Sequence, residues 1–210
     1  SNLIELSEPE RIQPTETIPT ETIPTETIPT DNRLYENEAL DVEFIVPEGW
    51  TLQQLKKDSP ISPDIAMLGP LVDGITPNIT LTISDTNDLS FDDLITKRNE
   101  FLSQGTSVGM EILSQEKITI NGKQAHVTIV TQNWKPNDQV LKIKIKEVMF
   151  IFENKSYTLA YANIPNNFDN EISIFDEFVN SFKILSEKGG GCLIATATFG
   201  SELSPQVQQL

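Results

Sequence analysis

A single histidine and a single cysteine occur among 210 residues, and their scarcity removes whole classes of chemistry. A Ser/His/Asp or Cys/His nucleophile system needs an imidazole held by one partner and touching another. His126 stands alone, with no nucleophile motif beside it. A zinc centre takes three or four nitrogen and sulfur ligands, which one His and the distant Cys192 do not supply. One thiol makes no internal disulfide, so cysteine usage is silent on the redox compartment and leaves Cys192 open to pairing or modification. Basic residues are short as well: 15 Lys and Arg against 31 Asp and Glu give a net charge of −16. That charge repels phosphate backbones and anionic membrane surfaces, which argues against nucleic acid as a partner. No apolar run approaches the roughly 18 to 20 residues a spanning helix needs. The length suits one core with appendages. Because it opens on Ser1 and stops within "QVQQL", the chain is expected to be a fragment or a processed product.

What is present falls into three parts, expected at 1–33, 34–186 and 187–210. The first contains "PTETIPTETIPTETIPT" from Pro14 to Thr30. Each proline removes a backbone donor and biases its predecessor towards extended conformations. A unit this short and polar does not stack into a solenoid, so it reads as a semi-rigid spacer of about 3.1 Å per residue at full extension. Its threonines are candidates for O-glycosylation, and a bare linker accounts for the composition equally simply.

The second part alternates. "LDVEFIVPEGW" places Leu40, Val42, Phe44 and Val46 on one face of a strand that stops at Pro47, with Gly49 in the turn. "ITLTISD" (79–85) alternates again, and Asn121-Gly122 between two β-rich runs is a strong hairpin signal. In "LKIKIKEVMFIFENKSYTLAYA", Lys142, Lys144 and Lys146 occupy one face, expected to meet water, before a run from Val148 to Phe152 that is apolar on both faces and so needs cover on both. The turn of this pair is expected near Asn154 and Lys155.

Two helices are the natural cover. The first is expected to start at an Ser90 N-cap, carry Asp92 and Asp93 in its first turn, and end before Gly105, with Leu94, Ile95, Phe101 and Leu102 as its apolar stripe. The second repeats Phe168, Ile172, Phe175, Val179 and Phe182 at spacings of three and four. The fold class expected is α+β, an antiparallel β-sheet flanked by helices in an α/β/α sandwich.

The order of these elements, with "PEGW" closing a strand, "NITLTISD", a helix, an "INGKQAHV" hairpin, a long strand pair and a helix ending "SFKIL", resembles the PsbP-like family, which includes DcrB-type lipoproteins. The resemblance covers roughly Leu34 to Leu185. It implies a non-catalytic module outside the cytoplasm or in a lumen that assists membrane complexes, and it carries no set of functional residues over to this chain.

Each candidate site has a plain alternative. His126 alternates with Ala125, Val127 and Ile129 and belongs to the opposite face of a hairpin strand, as a structural or solvent-facing residue. "SDTNDLSFDD" offers Asp85, Asn87, Asp88, Asp92 and Asp93, oxygen ligands of the kind calcium takes. The spacing lacks the EF-hand glycine and closing glutamate, and acids before a helix also answer its dipole. Trp50 and Trp134 are candidate partner anchors or core residues. The sequons "NIT" at Asn78 and "NKS" at Asn154 suit surface glycosylation of an exported protein, and such triplets also arise by chance.

The third part, "CLIATATFGSELSPQVQ", resembles the CFI box, a C-terminal element typically written CFIATAAYGS followed by a proline and a helix, found in archaeal and bacterial proteins that are often exported. Cys192, Ile194, Ala195, Thr196, Ala197, Gly200 and Ser201 match it; Leu193, Thr198 and Phe199 depart from it. The resemblance leaves processing, lipidation or tethering through Cys192 open, and a linker before a small packing element is the alternative.

Taken together, these features lead us to expect no cofactor, no enzyme activity, and an extracytoplasmic or cell-surface accessory module for a protein partner or membrane complex. A calcium or small-ligand module using 85–93 is the alternative, and an enzyme of unrecognised type the third.

Overall fold

A computed structural model describes residues 33–72, 74–105, 109–135 and 140–189. The pentad spacer, Cys192 and the CFI-box-like segment lie outside the described residues.

Seven strands form one antiparallel sheet in the order β3 (Thr51–Gln54), β4 (Ile65–Leu68), β5 (Asn78–Asp85), β9 (Lys155–Asn163), β8 (Leu141–Phe152), β7 (Lys123–Trp134), β6 (Glu111–Ile120). The two hairpin turns expected from the sequence are present. Asn121 and Gly122 sit at φ +50° and +77°, the backbone that a two-residue primed turn requires, and β8 turns into β9 through Glu153 and Asn154, immediately before Lys155. A second, three-stranded sheet, β1 (Leu34–Asn37), β2 (Val42–Ile45) and β10 (Lys183–Ile184), was not legible in advance. β2 begins at Val42; Leu40 lies in the preceding turn, where Asp41 has φ +61°.

Helix α2 (Pro165–Ser181) covers one face of the large sheet. Phe168, Phe175, Phe178 and Val179 are buried from it, and the chain leaves the helix at Phe182, itself buried. Phe178 meets Phe44 edge-on at 5.1 Å, and Phe182 meets Phe150 and Tyr157 edge-on at 5.9 and 6.1 Å. These rings join the large sheet, the helix and the small sheet in one core.

Of the three β8 lysines expected to meet water, Lys142 does, with its side chain 53% exposed, and the other two do not. Lys144 and Lys146 lie under α2, where each ammonium pairs at 2.6 Å with Asp169 or Asp176, seven residues apart on the helix. Their side chains are 18% and 19% exposed, and their ammonium groups stand 4.6 and 6.0 Å from the rings of Phe168 and Phe175. A lysine stem is apolar, so it lines the aromatic layer while its head reaches an acidic rim.

Helix α1 (Phe91–Gln104) covers part of the other face. Its Ser90 N-cap and Asp93 form a complete capping box, and Gly105 ends it. Only Ile95 and Leu102 are buried in it; Phe101 points outward beneath Arg98, at 5.1 Å, instead of joining the stripe.

Phe178→Ala is expected to cost about 3–5 kcal/mol, because it opens a void where three layers meet. Urea unfolding of the variant, with an unchanged slope and a lower midpoint, checks this.

Candidate interaction site

Of the polar residues that sequence reading singled out, His126, Asn87, Asp92 and Asp93 are tied into the scaffold by their side chains. His126 lies on β7 between Lys117 of β6 and Met149 of β8, on the face covered by α1. Above it, Lys117 binds Asp92 of α1 at 2.6 Å, and Glu147 of β8 receives a two-pronged bond from Arg98 of α1 at 2.8 and 2.6 Å. His126 is 5% exposed, and its Nδ1 lies 3.3 Å from the Thr128 hydroxyl. Among the described residues its side-chain partner is Thr128, two residues away on the same strand, and Glu147 is held by Arg98. Burial pushes the imidazole below its usual pKa, Glu147 opposing and Lys117 assisting.

The acidic stretch is dispersed. Asp93 accepts from Ser90, Asp92 faces Lys117, and Asn87 donates to the Asp85 carbonyl at 3.3 Å. Asn87 and Asp88 have φ +51° and +63°, in the tight turn that leads from β5 into α1. Among the described residues no three His, Cys, Asp or Glu side chains converge at metal-ligating distance. Asp85 also lines an open cleft of about 370 Å³ with Lys57, Asp64, Ser84 and Lys155. There Lys57 is taken up by the Asp64 carboxylate, at 3.0 Å, and by the Ile83 carbonyl, while Asp64 accepts the Ile83 N–H at 2.8 Å. This pins the 55–64 loop to β5.

The two tryptophans separate. Trp50 is buried against Tyr161, at 6.4 Å, and close beneath Gly69, where a Cβ would approach its ring to 2.9 Å. Trp134 is 47% exposed. It stands at the end of the sheet where β7 and β9 finish and β5, β6 and β8 begin, so Trp134 of β7 and Ile112 and Leu113 of β6 share that end with Val140, next to β8, and with Leu71 and Val72 in the β4–β5 connection. Helix α1 leads there from the end of β5 and brings Phe101. These seven are most of the exposed large hydrophobic residues among those described. Leu71 is 70% exposed and Val140 54%. The opposite end carries Asp85–Asp93, Asn121-Gly122 and the Glu153-Asn154 turn, with Ile61 of the β3–β4 connection, 81% exposed, as its large apolar side chain in water. Sequence reading found Trp134 there but missed the other six, because strand ends converge only through topology. Of the sequons, Asn154 is exposed in its turn and Asn78 is half-buried at the start of β5.

The displaced imidazole gives a pH dependence. A base whose folded-state pKa is depressed contributes stability that is fully present above its unfolded value, about 6.5, and is lost as pH falls through that value towards the folded one. Wild-type stability is expected to fall from pH 7.5 to 5.5 more steeply than that of His126→Gln, as read by urea midpoints of both proteins; parallel slopes would contradict it.

No family model matches the chain, and no curated protein matches it. Among solved structures it is similar to cyanobacterial PsbP (CyanoP) of Synechocystis sp. PCC 6803, at 19% identity over 81% of this chain and 98% of that one, with a TM-score of 0.56. It is also similar to the Ran-binding protein Mog1p of Saccharomyces cerevisiae, at 12% identity over 75% of this chain and 97% of that one, with a TM-score of 0.50. Identities this low speak to architecture, and the architecture is α+β and PsbP-like.

Proposed function

We propose that the protein is a non-catalytic accessory module, working outside the cytoplasm or at the cell surface, that holds a partner protein or a membrane complex by the apolar end of its large sheet. The observation that carries this reading is that seven of the ten exposed large hydrophobic residues described, Leu71, Val72, Phe101, Ile112, Leu113, Trp134 and Val140, share one end of the large sheet, while the opposite end has Ile61 among polar turns. Large apolar side chains left in water and grouped together mark interaction sites, and Trp is the residue type most often found at their energetic centre. The likeness of fold to PsbP and to a Ran-binding protein supports a binding role. The extracytoplasmic setting draws on the Thr/Pro spacer, the exposed sequon at Asn154 and the CFI-box-like tail, all features of the sequence.

Calcium binding at Asp85, Asn87, Asp88 and Asp92 is the competing proposal. Calorimetry separates the two: heat on adding calcium together with a raised melting temperature favours the second, and silence in both removes it.

A photo-crosslinker placed at Trp134 is expected to give a discrete adduct in the source cells, in the envelope or extracellular fraction, whereas the same group at Lys155 on the opposite end gives none. A cytosolic, unmodified protein, or equal adducts from both positions, would overturn the reading.

A further inference from the structure

The large sheet ends on two unlike edges. β3 is four residues long, and the Gln54 side chain at its end meets Asn37 of the small sheet at 3.4 Å. β6 is ten residues long, pairs among the described strands only with β7, and is exposed along almost its whole length. An edge of this kind presents a row of unpaired N–H and C=O groups that templates a further strand, unless proline, bulges or charges blunt it. β6 contains no proline, and its one bulge, between Ile112 and Ser114, lies at its start. Of the two charges between Ser114 and Ile120, Lys117 is drawn onto Asp92 of α1, and the exposed Glu116 disfavours an acidic added strand but not an uncharged one. Ser114 to Ile120 is therefore a regular, open stretch of seven residues.

We propose that this edge is the docking site of the chain's own C-terminal segment, Cys192–Phe199, added antiparallel to β6. Three observations select that occupant. The first is position: Glu187, in the 3-10 turn Ser186–Gly189, pairs with Lys123, and Lys123 lies opposite Ile120 across the β6–β7 turn. The described chain thus stops beside the end of the open edge. The five residues Lys188 to Cys192 reach up to about 17 Å, enough to bring Cys192 to Ile120. From there the chain runs back along β6 in the antiparallel sense, which a short connection permits. The second is sequence: "CLIATATF" has no proline or charge, and Ile194, Thr196 and Thr198 are β-branched and Phe199 aromatic, which suits a strand. At about 3.4 Å per residue these eight residues match the seven of the regular edge, so Gly200 arrives at the bulge. The third is charge: a second copy brings a net −16 to a surface that carries the same charge, whereas Gly189 to Ser201 carry none.

The experiment is hydrogen exchange on the full chain, wild type against Thr196→Pro, which removes one donor from the segment and touches nothing in the described core. Outward-facing amides between Ser114 and Ile120 are expected to exchange at least about tenfold faster in the variant, with the global unfolding transition unchanged. Equal exchange in the two proteins overturns the proposal. As a second readout, Thr119→Cys should form an intramolecular disulfide with Cys192 on mild oxidation, in higher yield than Ser114→Cys at the far end of the edge. Equal yields, or disulfide-linked dimers as the main product, assign the edge to a wandering tail or to a second copy and also overturn it.

Discussion

The structure depends on one requirement, that a seven-stranded sheet be covered on both faces with only two α-helices among the described residues. The α2 face meets it with rings. Phe168, Phe175 and Phe178 of α2, with Phe182 beyond its end, lie over Phe150, Tyr157, Leu159 and Tyr161 of the sheet. Phe44 extends the same layer into the three-stranded sheet. Each such ring removes about 1.5 to 3 kcal/mol worth of apolar surface from water. Tyr157 and Tyr161 are drawn in so far that burial raises their hydroxyls to about 12. Tyr161 keeps a partner there, because its hydroxyl, Asn163 and Glu171 bond one another at 2.9 to 3.2 Å.

The α1 face meets the same requirement by a different balance. Two buried apolar residues, Ile95 and Leu102, are supplemented by Arg98–Glu147, Lys117–Asp92 and the Gln115–Asn99 hydrogen bond at 2.5 Å. Exposed pairs such as Lys117–Asp92 contribute little, of order 0–1 kcal/mol. The pairing of Glu147 matters because an unpaired buried carboxylate is costly, more than because the pair itself is strongly stabilising. α1 is therefore the less firmly held cover, and the neutral His126 beneath it belongs to the same economy: it adds stability only while it carries no proton.

The sequence made visible whatever depends on near neighbours. The Ser90 and Asp93 capping box, the stop at Gly105 and the Asn121-Gly122 turn are all decided within four residues, and all stand where the pattern put them. The aromatic repeat of α2 was readable for the same reason. What failed to show was decided at a distance. β1, β3 and β4 are four residues each, too short for a period to emerge, and β10 is two. Lys144 and Lys146 looked as solvated as Lys142 is, because alternation tells one face from the other but not which part of a face a helix will lie on. Asp169 and Asp176, at a spacing of two helical turns, hold the complementary half of that information. At Phe101 the stripe was judged by hydrophobicity alone, and Arg98 stacking on it from the same helix keeps it at the surface.

The candidate site was the least legible part, and for a topological reason. Leu71, Ile112, Trp134 and Val140 are scattered over about seventy positions of sequence, each a single apolar residue of the sort every soluble surface carries. They become one feature because antiparallel strands bring their alternate ends together. Most internal polar groups are meanwhile committed elsewhere: Lys57 to Asp64, Arg98 to Glu147, Lys144 and Lys146 to α2, Asn163 to Glu171. A protein that reacts with a substrate keeps some of its buried acids and bases positioned for it, whereas one that grips a partner can spend them on rigidity and leave apolar surface in water. The distribution among the described residues is the one the proposed partner-binding role calls for. The cost of leaving those side chains exposed is borne by a core dense enough in aromatic rings to tolerate it.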